Sequence, residues 1–171
     1  MSERMVRWLI AAGLVLVLGL VNASIWRNES LLARGTLVSL ELAPVDPRSL
    51  MQGDYMALDW AVARELRQRL GQGLPASGSL VVRREAGSSR AGLARLDDGT
   101  PLAERESRLA YTVRDGRVRI VTDAYFFQEG HAADYERARY GALRVGEDGR
   151  ALLVGLQDAD LGWLGPRGKQ P

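Results

Sequence analysis

Nineteen consecutive residues without a charge, WLIAAGLVLVLGLVNASIW from Trp8 to Trp26, limit what this chain can become more than any other feature. As a helix the stretch rises roughly 28 Å at about 1.5 Å per residue, close to the ~30 Å hydrocarbon core of a bilayer. Arg4 and Arg7 precede it. The two tryptophans suit the two headgroup levels, and positive residues stay inside, so a cytoplasmic N-terminus and an extracytoplasmic remainder are expected. A second reading exists. Two arginines, the apolar run Leu9–Val21 and the small pattern Val21-Asn22-Ala23 also suit a cleaved signal peptide. Helical character that continues through Ile25, Leu31 and Leu32 favours a retained anchor, with Gly35 as the helix stop. The expected division is a cytoplasmic N-terminus at 1–7, an anchor at 8–26, a juxtamembrane helix at 27–34, an extracytoplasmic domain at 35–165 and a flexible tail at 166–171.

Beyond the anchor the chain is long enough for one domain with a core, since its 171 residues are 46% hydrophobic. It contains no cysteine, which excludes disulfides, thiolate nucleophiles and thiolate metal sites. The sequence pI of 9.3 does not mark a nucleic-acid binder. All of the 23 basic residues except Lys169 are arginine, and beyond Trp26 there are 21 basic against 20 acidic residues. Their signs interleave, as in RREAGSSR and AERESR, so no basic stripe forms along the sequence and nucleic acid is not an expected partner.

After Gly35 the pattern becomes alternating. In TLVSLELAP, Val38, Leu40 and Leu42 share one face and Ser39 and Glu41 the other, which predicts a half-buried strand. Pro44 and Pro47 then break the ladder in a crossover. A strand from about Asp54 places Met56, Leu58 and Trp60 inward and Tyr55, Ala57 and Asp59 outward. It runs into AVARELRQRLGQGLP, a helix with Val62, Leu66 and Leu70 on its core side, ended by Gly71, Gly73 and Pro75. Hairpins come next. Asp115-Gly116 as a two-residue loop sets Val113 opposite Val118, Tyr111 opposite Ile120 and Leu109 opposite Thr122, with Arg114, Arg117 and Arg119 facing away. Asp148-Gly149 in the same role sets Val145 opposite Leu152, Leu143 opposite Val154 and Gly141 opposite Leu156. A third hairpin joins SLVVRRE to RAGLARL around Gly87-Ser88-Ser89, and a short helix covers His131 to Arg139. The fold class is α+β: a single N-terminal transmembrane helix, then a mainly antiparallel β domain with two short helices.

Two segments, LAPVDPRSLMQGDYMALDW and YFFQEGHAADYERARYGALRV, make the chain resemble the bacterial GDYXXLXY protein family, with Gly53, Asp54, Tyr55 and Leu58 matching the name itself. Trp60 stands where the name has its last Tyr, so a role needing that phenolic hydroxyl does not carry over. The resemblance covers nearly the whole chain. It implies a single-pass inner-membrane protein with a periplasmic domain, associated with a larger multi-spanning membrane protein, and no established biochemical role.

The residues set limits on chemistry. Ser49 precedes a Gly-Asp pair, but the domain has no lysine base before Lys169 and its single histidine is His131, so a turn hydroxyl is the simpler role. Asp54 is in phase with the buried face of its strand and must be paired, by backbone N–H groups or by Arg48, or else face a pocket. Asp46 has the same two options, and Gly53 supplies a backbone shape that a side chain would oppose. Tyr55 either packs under the helix or meets a partner. Glu129, Tyr135, Arg137, Arg139 and Tyr140 form the second polar group, within which Glu136 and Arg139 are spaced to pair. One histidine without cysteine makes a poor metal site, and no cofactor is expected. Asp54 or Asp46 is expected to accept from Arg137 or Arg139, joining the two segments. Two function classes remain: a non-enzymatic binding or accessory module for a multi-spanning partner, or an envelope hydrolase with a polar site built from the crossover and Glu129–Tyr140.

Overall fold

The computed structural model describes residues 2–43 and 55–165. The crossover with Asp46, Arg48, Ser49, Gly53 and Asp54, and the expected tail at 166–171, lie outside the described residues.

The apolar stretch is part of one unbroken helix, α1, Glu3–Arg34. Ser2 caps its start, its side chain accepting from the Met5 N–H, and Gly35 ends it by donating its N–H to the Leu31 carbonyl. The helix is long and apolar enough to cross a membrane, and no residue of its most apolar window is buried. Leu31 alone in α1 is buried. There the helix meets the sheet, and Arg144 Nη1 donates to the Gly35 carbonyl at 3.0 Å.

The strands are β1 (Thr36–Glu41), β2 (Tyr55–Ala57), β3 (Ser77–Arg84), β4 (Arg90–Leu96), β5 (Glu106–Arg114), β6 (Arg117–Ile120), β7 (Ala124–Phe126), β8 (Tyr140–Val145) and β9 (Ala151–Gln157). Seven form one sheet in the order β6-β5-β3-β4-β1-β8-β9, and β2 and β7 pair separately. Only the β1–β4 pairing is parallel among the described residues. The sheet curls until the β8–β9 turn reaches β5, where the Ala110 N–H donates to the Gly149 carbonyl at 3.0 Å. Helix α2, Ala61–Leu70, packs with Val62, Ala63 and Leu66 buried. Its expected inward partner Leu70 instead stays 39% exposed, because the helix ends there and Gly71 turns away at φ 53°. The core joins Leu40, Leu80, Leu109, Ile120 and Leu143 of the sheet to Trp60 and Leu66.

The two Asp-Gly turns differ. At Asp115-Gly116 both residues have positive φ (50° and 71°), and Val113↔Val118 and Tyr111↔Ile120 pair as the two-residue loop predicts. The expected Leu109–Thr122 pair does not form: β6 stops at Ile120 because Val121 turns to φ 58°. At the second turn the Gly146 N–H donates to the Arg150 carbonyl and the Gly149 N–H to the Gly146 carbonyl, a three-residue loop with Gly149 at φ 81°. Val145 therefore pairs with Ala151, not Leu152, and Leu143 with Leu153, not Val154. A bulge then absorbs the offset and restores Gly141↔Leu156. The third hairpin forms between β3 and β4.

Two further expectations change. The helix expected over His131 to Arg139 is only Ala132–Tyr135, α3, because the Arg139 N–H donates to the Gln157 carbonyl and pulls the chain into β8. The outer face of β1 is not solvated at Ser39, which is fully buried. Its hydroxyl donates to Gln157 Oε1 at 2.7 Å and lies 2.9 Å from Ser89 Oγ, since β1 is an inner strand and these two polar side chains close over it.

Candidate functional site

The segment from β2 to α2 is built as its alternation requires: Met56, Leu58 and Trp60 are buried, and Tyr55, Ala57 and Asp59 are half-buried. Trp60 does the most. Its ring lies over Gly141, where a Cβ would come within 2.5 Å of Cη2. Its Nε1–H donates to the Thr122 carbonyl at 3.0 Å, and its backbone bridges Leu42. One residue thus ties β1, β8 and the turn after β6, so a large amphipathic ring is needed at this motif position whether or not it carries a hydroxyl.

Met56 pairs with Tyr125 and Tyr55 with Phe126 across β2–β7. Tyr135 packs edge-on against Tyr125, centroids 5.3 Å apart, and stacks on Phe127 at 5.1 Å. Burial pushes the Tyr125 phenol up to about 12, aided by the hydrogen bond it donates to Tyr135. The second segment therefore joins the first through rings. The Leu42 N–H also donates to the Arg139 carbonyl at 2.8 Å. Tyr140 lies under the Arg90 guanidinium, 5.4 Å from its centroid.

Glu129, Glu136, Arg137 and Arg139 are exposed, and none makes an ion pair among the described residues, including the expected Glu136–Arg139 pair. His131 Nδ1 lies 2.7 Å from Asp134. No group of three or more metal-ligating side chains gathers among the described residues. Tyr55 is half-buried, its ring 5.7 Å from that of Phe126, which is 74% exposed.

A feature missed in the sequence is a groove of 520 Å³ between α2 and the β5–β6 hairpin. Arg64 and Arg67 line it from the helix and Arg117 and Arg119 from β6, over a floor that includes Leu58, Trp60 and Val118. Asp59 accepts from Arg64 at 2.8 Å and Asp123 pairs with Arg119 at 3.0 Å. The groove thus combines four arginines with two carboxylates, and both carboxylates are engaged in ion pairs with arginines of the same groove. The signal was present in outward-facing Arg117 and Arg119 and the polar side of α2, which interleave with acids in the sequence and converge only through the fold.

One long, exposed apolar helix fused to a curled, mostly antiparallel sheet, with the separate β2–β7 pair beside it, defines an α+β protein with a candidate membrane-spanning N-terminal helix. Residues 17–156 match the GDYXXLXY protein family, and the chain belongs to it. No curated protein and no solved structure matches the chain.

Proposed function

We propose that this is a non-enzymatic, membrane-tethered binding module of the bacterial inner membrane, its N-terminus cytoplasmic and its domain periplasmic, serving a multi-spanning membrane partner. The observation that carries this reading is the absence of a linker among the described residues: α1 ends at Arg34 and β1 begins at Thr36. The helix end is seated on β8: a Cβ on Gly35 would lie 3.2 Å from Arg144 Cβ, and Arg144 Nη1 donates to the Gly35 carbonyl. A domain mounted this way stays at the bilayer surface, where its effective concentration is high only for partners in the same membrane. The face offered is the Tyr55–Phe126 ring pair, together with the exposed Glu129, Arg137 and Arg139 of the second segment. Aromatic centres with a polar, arginine-containing rim are the usual anatomy of such contacts. The hydrolase alternative is less favoured, because Glu129 does not line the arginine groove and stands exposed, as do Arg137 and Arg139.

A photo-crosslinking amino acid at Phe126 in intact cells tests the partner: adducts to a multi-spanning protein are expected, and adducts only to lipid or to this chain would overturn it. Intact mass of the membrane-extracted protein tests the anchor. The N-terminus should be Met1 or Ser2, and one at Ser24 would mean the helix is removed.

A further inference from the structure

The geometry points to Val121 as a bilayer contact: the turn after β6 rests on the lipid headgroups beside α1. This rests on the reading of α1 as a membrane anchor. Val121 lines one groove together with Asn28 and Leu31 of α1 and Arg150, and the adjoining groove together with Arg114 and Arg119. If Trp26 marks the edge of the hydrocarbon, Asn28 lies about 3 Å and Leu31 about 7.5 Å beyond it along the helix. The headgroup layer is about 5–8 Å deep on each side, so Val121 is at headgroup level.

The turn is built to hold an apolar side chain outward. Val121 is β-branched yet sits at φ 58°, a left-handed conformation such residues rarely adopt, and it is 41% exposed. Its neighbours hold it there. Ile120 is fully buried, the Thr122 carbonyl accepts from Trp60 Nε1, and the Thr122 hydroxyl donates to the Ala124 carbonyl at 3.0 Å. Asparagine or glycine would adopt this backbone more easily, so the valine is explained by what it touches. The charges agree. Arg114, which lines the second groove with Val121, is exposed, whereas Arg119 and Arg150 are partly offset by Asp123 and Asp148. Cations beside an apolar side chain suit a phosphate-bearing interface.

Because the chain has no cysteine, single-cysteine variants of the full protein in nanodiscs can carry one fluorophore each. Val121→Cys, Leu16→Cys and Phe126→Cys would be labelled and quenched by lipids bearing a nitroxide on the headgroup or on the acyl chain. The expected result is strong acyl-chain quenching at residue 16 and headgroup quenching at residue 121 several-fold above that at residue 126. Residue 121 quenched no more than residue 126, with residue 16 still quenched, would overturn the contact alone. Loss of quenching at residue 16 as well would overturn both the contact and the anchor.

Discussion

Between Tyr55 and Trp60 the alternate side chains Met56, Leu58 and Trp60 keep only 3%, 7% and 2% of their surface exposed, whereas between Glu129 and Arg139 only Tyr135 is buried and the charged residues stand in solvent. Both segments carry the family resemblance, yet one is a structural seam and the other mostly a surface. A motif can persist because a ring must fill a particular space, as at Trp60, or because a face must be presented, as at Arg137 and Arg139. Substitutions separate these cases, because the seam should respond in stability and the face in binding.

The largest effect is expected at the centre of the seam. Trp60→Ala removes a buried ring and should cost about 3–5 kcal/mol, lowering the melting temperature by roughly 10 °C or more, measured by near-UV circular dichroism of the full protein in detergent. Trp60→Tyr, which restores the residue in the family name, keeps a ring and should cost about 1–2 kcal/mol for lost volume and the lost bond to the Thr122 carbonyl. Equal melting for wild type and Trp60→Ala would show that the seam is not structural.

Next is Gly141, whose Cβ would lie 2.5 Å from the Trp60 ring. Gly141→Ala should cost about 1–3 kcal/mol through overpacking. In the Trp60→Ala background most of that cost should vanish, since the two share one space. Strict additivity would break the link between the two segments at this point.

These two residues also show how far the sequence could be read. Alternation alone placed Met56, Leu58 and Trp60 inward, because a strand with one buried face has only one workable register. Nothing local pointed to Gly141 as the partner of Trp60, since 80 residues of chain separate them and only the β1–β8 pairing brings them together. The Asp148-Gly149 dipeptide located its turn but not its length, because a bulge near Val154 restored the inner pairing and let the loop take a third residue. The arginine groove was hidden for a similar reason, its charges coming from α2 and β6. Asp46 and Asp54, on which the site reading most depended, lie outside the described residues.

The ring contacts between the segments predict a pH dependence. The Tyr125 phenol is raised to about 12 in the folded state, against about 10 when unfolded. The folded form thus holds a proton that the unfolded form releases first. Its contribution to stability is complete below pH 10 and is lost as pH rises from about 10 to 12. Tyr111, raised by burial, acts in the same direction. Absorbance titration of phenolate should show a late-titrating phase that Tyr125→Phe diminishes, and an unchanged late phase would mean that Tyr125 is open to water.

The smallest stability effect is expected on the exposed side. Arg139 carries its structural role in its backbone, which donates to Gln157 and accepts from Leu42, while its side chain is exposed. Arg139→Gln keeps both backbone bonds and should change stability by under about 0.5 kcal/mol. A pairing with Asp54 or Asp46 would then be a screened surface ion pair, worth under about 1 kcal/mol, rather than the ~3–5 kcal/mol of a buried one. A double-mutant cycle of Asp54→Asn with Arg139→Gln, repeated with Arg137→Gln, measures that term directly. A coupling of several kcal/mol would move these arginines from the face to the seam. Near-zero coupling together with lost crosslinking at Phe126 would assign them to the partner surface, because a side chain that contributes little to folding but is needed for capture acts at the contact itself.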